Sequence, residues 1–507
     1  MDTLDGGSGV DVLDGGSGGT VLSDQIDGSV TLTNTGYLTA AGDRAISPDF
    51  LGNVTLIGGD GNQTIDINAF TTGRVTVFGG GGNDSILGSV GTDVIFGGDG
   101  NDTILGGGSQ DFLFGEGGND TVNGGGASDI ISGGLGNDRI VAGSVVGENN
   151  ILREDVDANL TLSTSVGGVH SLIGAGTDVL IGIFVAAILA GGPSNNRIDV
   201  TAFAGGTTLI GAAGDDTLLG GAFSDVVFAG PGADSIATGA GNDSLFGEDG
   251  DDLLQGGADN DLLRGGTGND SFDGGAGTAD RVSEQGNTNV VVNLLQLTSP
   301  LLGTDNALAV ERFELTGGSG ANLLDARLSS LPVLLNGGTG NDTLLGGGFI
   351  DEINGGSGND IISGAAGLDT LNGGSGTDVV YEKANRNFTI NGLQLTFLAT
   401  GTETAISVEG FALVGGNGAN TLDARLSRVP VTLLGGLGND TLLGSNLADV
   451  LVGGSRTAAP ASDGTDLLDG GAGVDTYDNG PGDTRVGTDD LVVANIFAQL
   501  PSWLDSI

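Results

Sequence analysis

Long parts of the chain carry one aliphatic residue in every nine. The run from Gly79 to Val141 contains seven such units, and the eighth residue of each is Ile, Leu or Val, from Ile86 to Ile140. Side chains alternate in direction along a strand, so the eighth residue points inward while the seventh and ninth point outward. The first six positions are rich in glycine, which tolerates the backbone angles of a tight turn. The pattern therefore predicts short strands that alternate with tight turns.

A single coil of this kind cannot bury its own row of Leu and Ile side chains. Coils stacked at about 4.8 Å pair their strands and close a shared core, so stability is collective. The composition agrees, because 103 glycines with only 9 prolines fit neither an average globular domain nor collagen, and 38% hydrophobic residues are too many for a disordered chain. We therefore expect an all-β stacked solenoid.

Aspartate occupies the sixth position of these units. Two runs of seven units and one of five keep this phase without a gap, which gives nineteen consecutive matches. A shorter fourth set is broken by an insertion at Arg456–Ser462, and Asp11 belongs to an isolated copy near the start. The in-phase residues are Asp84, Asp93, Asp102, Asp111, Asp120, Asp129 and Asp138 in the first run; Asp216, Asp225, Asp234, Asp243, Asp252, Asp261 and Asp270 in the second; Asp342, Asp351, Asp360, Asp369 and Asp378 in the third; and Asp440, Asp449, Asp466 and Asp475 in the fourth set.

The units match the pattern G-G-x-G-x-D-x-U-x, in which U is aliphatic, and the chain resembles the RTX-type (hemolysin-type) calcium-binding nonapeptide repeat family over more than half of its length. The resemblance implies a right-handed parallel β-roll, with two units to a coil, so turns on the same edge are 18 residues apart. It also implies that each Ca²⁺ lies between two such turns and takes a carboxylate and glycine carbonyls from both. All 23 in-phase aspartates are accordingly predicted metal ligands.

The ligand chemistry favours calcium over other ions. Calcium accepts six to eight oxygen ligands in flexible geometry, whereas magnesium demands a tight octahedron and retains its waters. Zinc is disfavoured because the chain has one His and no Cys. With about n minus two sites in a run of n units, the four sets would hold roughly fifteen ions. The alternative, a merely solvated acidic turn face, has no need of such regular spacing.

The large negative charge of the chain argues against nucleic-acid binding and suggests that folding depends on a bound cation. A formal net charge of −50 would repel nucleic acid, whose binding requires a basic surface. Self-repulsion of this size opposes compaction, so the cation that neutralises it should control folding. The most apolar stretch, Val179–Ala190, is too short to cross a bilayer, and no membrane span is expected. Extracellular calcium modules bind at about 10⁻⁴ to 10⁻³ M, which favours a secreted or cell-surface protein.

A longer module is superposed on the nonapeptides. Each run follows a head unit whose sixth residue is an amide, which we expect to be metal-free or weak: Gln63, Asn196, Asn322 and Asn420. The glycine-poor segments Val282–Thr316 and Glu382–Val414 are expected to be longer β coils without calcium.

The out-of-phase acids Asp66, Asp199, Asp325 and Asp423 are expected to cap turns or to lie on the surface. The predicted segments are 1–57, a partial N-terminal repeat and cap; 58–147, 148–281, 282–381 and 382–490, four β-roll modules; and 491–507, a C-terminal cap or a secretion-signal-like tail.

The sequence favours a non-catalytic, calcium-binding structural protein that folds on Ca²⁺ outside the cell. The single His170 and three tyrosines offer no recognisable catalytic set, and chance carboxylate pairs are unavoidable in so acidic a chain. Two alternatives stay open. The chain could be an adhesin or surface-layer-type binding protein, because Phe96 with Phe114 and Phe228 with Phe246 should form outward aromatic stripes one coil apart. It could also be the repeat region of a larger secreted enzyme, since it begins inside a repeat.

Overall fold

The chain divides into two compact units in the computed structural model. The first unit comprises residues 1–265 and 273–277, and the second comprises residues 266–272 and 278–507. The model describes residues 3–4, 12–13, 21–26, 30–33, 36–39, 42–46, 53–71, 73–143, 148–164, 169–174, 176–397, 401–454, 464–478, 483–486 and 491–492. The isolated copy with Asp11, most of the predicted N-terminal cap and the C-terminal tail after Val492 lie outside these residues.

Every regular element among the described residues is a β-strand, because the aliphatic-in, polar-out alternation has a period of two. The strands of the first unit are β1 Thr3–Leu4, β2 Val12–Leu13, β3 Val21–Ile26, β4 Val30–Thr33, β5 Gly36–Thr39, β6 Gly42–Ile46, β7 Asn53–Gly58, β8 Thr64–Ala69, β9 Val75–Gly81, β10 Ser85–Leu87, β11 Asp93–Asp99, β12 Thr103–Gly107, β13 Phe112–Gly117, β14 Thr121–Gly125, β15 Ile130–Ser132, β16 Arg139–Val141, β17 Asn150–Asp155, β18 Leu160–Thr164, β19 Val169–Ile173, β20 Thr177–Ile181, β21 Phe184–Ala190, β22 Arg197–Asp199, β23 Gly206–Ile210, β24 Thr217–Leu219, β25 Val226–Pro231, β26 Ser235–Ala240, β27 Ser244–Asp249 and β28 Leu253–Ala258.

The next two strands are β29 Leu262–Thr267 and β30 Ser271–Ala276. Those of the second unit are β31 Arg281–Gln285, β32 Val290–Leu294, β33 Gln296–Ser299, β34 Gly303–Leu308, β35 Arg312–Thr316, β36 Leu323–Ser329, β37 Val333–Thr339, β38 Thr343–Leu345, β39 Glu352–Ser357, β40 Ile361–Ser363, β41 Thr370–Ser375, β42 Val379–Lys383, β43 Phe388–Gly392, β44 Gln394–Phe397, β45 Gly401–Ile406, β46 Gly410–Val414, β47 Thr421–Ser427, β48 Val431–Leu434, β49 Thr441–Leu443, β50 Val450–Val452, β51 Leu467–Asp469, β52 Thr476–Asp478, β53 Thr484–Val486 and β54 Leu491–Val492.

In the first unit, each strand of a run pairs in parallel with the next-but-one strand of the chain. Ile86 of β10 lies opposite Ile104 of β12, and Ile104 lies opposite Val122 of β14. On the other sheet, Ile95 lies opposite Leu113. These partners are eighth-position residues 18 positions apart, and their side chains are buried between the two sheets. The predicted all-β parallel solenoid with two nonapeptides to a coil is confirmed.

The second unit repeats the same register. Leu335 of β37 lies opposite Ile353 of β39, which lies opposite Leu371 of β41. On the other sheet, Leu344 lies opposite Ile362. All five side chains are completely buried, so the core is one row of aliphatic residues from each sheet.

Antiparallel insertions stand before the first run and between the later runs, and the nonapeptide pattern does not predict them. In the first unit they are β4–β5–β6 and β18–β19–β20, and in the second β32–β33–β34 and β43–β44–β45. Their outer strands still pair in parallel with the neighbouring coils, as β20 does with β16 and β18 with β22. The expectation of simple longer coils in Val282–Thr316 and Glu382–Val414 was incomplete, because the chain reverses direction within both segments. These segments lack the nine-residue period, so their sequence does not show where the strands turn back.

Aromatic side chains at the ninth position stack between coils, as predicted. The ring centroids of Phe96 and Phe114 are 5.0 Å apart, and so are those of Phe228 and Phe246. Phe78 extends the first stack, with its centroid 5.0 Å from that of Phe96. Phe78 and Phe228 are partly exposed on the outer face. The stacks therefore fix neighbouring coils from outside the core.

Among the described residues, none forms a helix long and apolar enough to cross a membrane.

Candidate metal-binding turns

The 23 in-phase aspartates are buried, although they lie in turns at the edges of the sheets. Asp93, Asp111 and Asp378 have no exposed surface at all. The alternative of a solvated acidic face is therefore wrong. Buried carboxylates require hydrogen bonds or a cation to offset the loss of hydration.

In most turns, one carboxylate oxygen is satisfied by the neighbouring turn on the same edge. The backbone N–H of Asp84 donates to Oδ1 of Asp102 at 2.7 Å, and that of Asp102 donates to Oδ1 of Asp120 at 2.7 Å. On the opposite edge, the N–H of Asp93 donates to Oδ1 of Asp111 at 2.8 Å. In the second unit, the N–H of Asp342 donates to Oδ1 of Asp360 at 2.8 Å. Partners are 18 residues apart, so aspartates on the same edge come together as predicted.

The second carboxylate oxygen divides the turns into two kinds. In the first kind, here called open turns, the residue at position two has a left-handed backbone, as Gly98 does with φ of 106° and Gly107 with φ of 124°. Glycine tolerates this conformation, but Glu116 and Ala212 adopt it as well, with φ of 76° and 79°. Oδ2 is buried without a hydrogen-bond partner in the open turns of Asp84, Asp102, Asp111, Asp120, Asp129, Asp138, Asp216, Asp234, Asp342, Asp360, Asp369 and Asp378.

In the second kind, here called closed turns, the position-two amide turns inward and donates to Oδ2. The donor–acceptor distances are 2.7 Å from Ser89 to Asp93 and 2.8 Å from Gly221 to Asp225. Each closed turn holds the second in-phase aspartate of its set, and none of the position-two residues has a positive φ. The four aspartates in closed turns are Asp93, Asp225, Asp351 and Asp449.

The head units with Asn have the same closed arrangement. The N–H of Gly192 donates to Oδ1 of Asn196 at 2.7 Å, and the N–H of Gly318 donates to Oδ1 of Asn322 at 2.8 Å. The amide oxygen thus takes the place of Oδ2 in a closed turn and carries no charge. Gln63 differs, because its Oε1 is buried without a hydrogen-bond partner.

Burial shifts the titration of the open-turn carboxylates upward. It raises the pKa of Asp111 to about 8 and that of Asp120 to about 7, against the opposing effect of the amides that donate to Oδ1. Neighbouring aspartates on the same edge add to the shift through charge repulsion. The pKa of Asp84, at the start of its row, rises only to about 6. Burial therefore disfavours the ionised form of these carboxylates, and a nearby cation would favour it again.

The out-of-phase acids cap local turns, as predicted. Oδ1 of Asp66 accepts the N–H of Asn68 at 3.1 Å, and Oδ1 of Asp199 accepts the N–H of Thr201 at 3.2 Å. Asp325 and Asp423 make the equivalent bond two residues on. Each of the last two also pairs with the Arg two residues on, with N–O distances of 2.7 Å. These acids lie outside the rows of in-phase turns.

Sequence reasoning missed three acids that continue the rows into the insertions. The N–H of Asp138 donates to Oδ1 of Asp178 at 2.9 Å, and that of Asp270 donates to Oδ1 of Asp305 at 3.0 Å. Glu403 occupies the corresponding place beyond Asp369, because Thr404 lies opposite Thr370. A signal was present: a Gly-Thr-acid-x-aliphatic pentapeptide, as at residues 91–95 of the first run, recurs at 176–180, 303–307 and 401–405.

Two buried glutamates, also missed, close the ends of rows. Glu154 accepts the N–H groups of Gly133 and Gly134 at 2.7 and 3.1 Å. Glu382 accepts those of Gly364 and Ala365 at 2.8 and 3.2 Å through Oε1. Burial raises the pKa of Glu154 to about 8 and that of Glu382 to about 7. Both replace the next glycine-rich turn, which the insertion removes.

The donor set fits calcium and little else. Among the described residues, no three or more His, Cys, Asp or Glu side chains gather into a group that could hold a metal ion. An ion between two open turns would therefore meet two carboxylates, and backbone carbonyls would supply the remaining oxygens. Calcium accepts such mixed, flexible oxygen coordination. The unpartnered Oδ2 atoms are the charged oxygens that this coordination requires.

Comparison with known proteins gives a family match to the repeats. The model of the RTX calcium-binding nonapeptide repeat (4 copies) matches slightly more than half of the chain. No curated protein matches the chain. One similar solved structure is the extracellular lipase LipA from Serratia marcescens, at 17% identity and a TM-score of 0.15. That match covers 49% of this chain and 43% of the lipase, less than half of its length. The family matches lie at residues 2–22, 71–95, 78–113, 88–122, 105–140, 210–245, 246–278, 334–348, 345–380, 432–455 and 461–486.

Proposed function

The chain belongs to the RTX calcium-binding nonapeptide repeat family, and from this membership we propose that it is a non-catalytic structural protein that folds by binding Ca²⁺ between same-edge turns outside the cell. The observation that carries the proposal is the buried, unpartnered Oδ2 of the open turns. A buried carboxylate oxygen with no hydrogen bond requires either a proton or a cation. A cation is favoured here because the same unpartnered oxygen recurs in successive open turns of the first and third runs.

The ligands proposed are the in-phase aspartates, with a division that the sequence alone did not give. In the open turn of Asp102, Oδ2 has no hydrogen-bond partner, and a Cβ atom at Gly97 would collide both with this oxygen and with the carbonyl oxygen of Gly115 in the next coil. In the closed turn of Asp93, Oδ2 accepts the N–H of Ser89 and Oδ1 accepts the hydroxyl of Ser89, and the backbone of Val75 also donates to this carboxylate. We therefore assign the strong sites to pairs of open turns. The four closed-turn aspartates are expected to bind weakly, in the manner expected of the head units.

Binding should drive folding, because the charge and the fold depend on the same residues. In the first run, Asp102 carries a buried carboxylate and immediately precedes strand β12. Without a cation, ionised carboxylates in these rows repel one another and oppose stacking. On the order of fifteen ions would neutralise most of this repulsion. A requirement for millimolar calcium would restrict folding to the extracellular space, which is the location proposed.

The test is a calcium titration of the full chain followed by far-UV circular dichroism, with chelator added at the end. We expect little strand signal in chelator, a cooperative rise between about 10⁻⁴ and 10⁻³ M calcium, and reversal by the chelator. Magnesium at the same concentrations is the matched control and should leave the signal near its starting value. A complete strand signal in chelator, together with no calcium uptake in equilibrium dialysis, would refute the proposal.

A further inference from the structure

The third run is followed by a buried acid that makes no hydrogen bond. Glu403 of β45 has no exposed surface, and neither of its carboxylate oxygens makes a hydrogen bond. It belongs to an antiparallel insertion and lies outside the nonapeptide pattern. A buried carboxylate with two unsatisfied oxygens is among the costliest groups in a protein interior unless a ligand meets it.

The backbone places Glu403 in the row of calcium-type turns. Thr370 lies opposite Glu352 on one side and opposite Thr404 on the other. The N–H of Thr404 donates to the carbonyl oxygen of Asp369 at 3.1 Å, as the N–H of Thr370 does to that of Asp351 at 3.0 Å. Glu403 therefore follows Asp369 as Asp369 follows Asp351.

The carboxylate of Asp369 lies in the turn that begins at Gly364, and Glu403 is close enough to interact with it. Oδ2 of Asp369 is buried without a partner and lies against Gly364, where a Cβ atom would collide with it. Asp369 repels Glu403 electrostatically. Glu382 binds the amides of Gly364 and Ala365 and so closes the end of that turn. Glu382 also repels Glu403, whereas Arg386 is the nearby group that attracts it.

The arrangement recurs where other runs meet their insertions. Asp178 follows Asp138 and Asp305 follows Asp270, each through a hydrogen bond to Oδ1. In both cases the acid follows Gly-Thr, as Glu403 does. The insertions differ in length, yet each brings one acid back to the same place. Chance would not preserve this position when the paired acids are 40 and 35 residues apart in the sequence.

We propose that Asp369 and Glu403 hold a further calcium ion at the end of the third run, outside the nonapeptide repeats. The two carboxylates take the roles of the two aspartates of an ordinary site, and carbonyls of the Gly364–Asp369 turn supply oxygens. Glu382 is a positioning residue that keeps this terminal turn in shape. The inference rests on the proposed function, because it extends the same row of ions by one step.

The experiment counts calcium ions bound to the full chain by equilibrium dialysis at saturating calcium, with far-UV circular dichroism to confirm folding. Glu403→Gln removes the charge with little change in shape and should lose one ion. Glu352→Gln is the matched control, because Glu352 is an exposed acid of the same run and its loss should cost no ion. Asp360→Asn reports on an ordinary site and should lose at least one ion.

The outcomes separate this inference from the proposed function. If the wild type binds no calcium, both fail. If Asp360→Asn loses an ion and a folded Glu403→Gln loses none, Glu403 is a protonated buried acid and only this inference is overturned. Should Glu403→Gln not fold, Glu403→Asp is scored instead. A full ion count with one weakened site supports the inference, and unchanged binding at every site overturns it.

Discussion

At the scale of single residues, the direction of one amide separates two kinds of turn that the sequence does not distinguish. Ser89 and Gly221 point their N–H groups inward and close their turns, whereas Ala212 and Glu116 have left-handed backbones and leave them open. The presence of glycine at position two therefore does not decide whether a turn is open or closed. Position in the stack does, because each closed turn bonds through Oδ1 to a strand residue, such as Thr207 for Asp225, where an open turn bonds to another turn.

This difference predicts that replacing Asp by Asn lowers the number of bound calcium ions in one unit and leaves it unchanged in the neighbouring unit. Asp102→Asn removes the charge from an open turn, so the chain should lose at least one calcium ion and require more calcium to fold. Asp93→Asn leaves an amide oxygen that can accept the N–H of Ser89, as Asn196 accepts that of Gly192. It should retain the wild-type ion count. Equilibrium dialysis with both variants measures this, and equal losses would contradict the distinction between open and closed turns.

At the scale of the strands, the nine-residue period allowed most of the fold to be predicted. The pairing of Ile86 with Ile104 follows from a strand and a turn of fixed length, repeated twice per coil. The same period placed all 23 aspartates on two edges. The insertions escaped prediction because β18–β19–β20 reverses direction and has no nonapeptide spacing. Asp178 was missed for this reason: it lies 40 residues from Asp138 in sequence and beside it in space.

The stack of Phe78, Phe96 and Phe114 is a second feature of the strands. Its contribution to stability can be tested without changing a metal-binding turn. Phe96 stacks on both Phe78 and Phe114, whereas the end member Phe78 stacks on Phe96. Each such pair contributes about 0.5–1.5 kcal/mol. In saturating calcium, Phe96→Leu should therefore reduce the free energy of unfolding by about twice as much as Phe78→Leu. Denaturant unfolding of the two variants checks this, and equal effects would show that stacking between coils contributes little.

At the scale of the whole molecule, protons and calcium should compete for the same carboxylates. Burial raises the pKa of Asp111 to about 8 and those of Asp120 and Asp234 to about 7, above the ordinary value of 3.8. A folded-state pKa above the unfolded value means that the folded chain binds more protons. Its stability without calcium is therefore greatest below pH 3.8 and is lost as the pH rises through about 6 to 8.

Acid should accordingly replace calcium in part. In chelator, strand signal should increase as the pH is lowered from 8 toward 5, and the calcium concentration needed for folding should be lower at pH 5 than at pH 8. Circular dichroism across this range gives both quantities, with light scattering to exclude aggregation near the isoelectric point of about 4.1. Strand signal in chelator that falls on acidification would contradict the assigned direction of the pKa shifts.

The closed turns have a consequence for the order in which a run assembles. Each set carries, at its second unit, a turn whose hydrogen bonds are complete without an ion, and so it has a fixed origin for growth. A coil added next to a closed turn can pair with it before any ion binds. An ion can bind only after two neighbouring turns of one edge have formed. If calcium runs short, growth halts at the first empty position. A molecule with few bound ions would then have ordered coils around its closed turns and unfolded coils farther along each run. It would not be partly unfolded to the same degree everywhere.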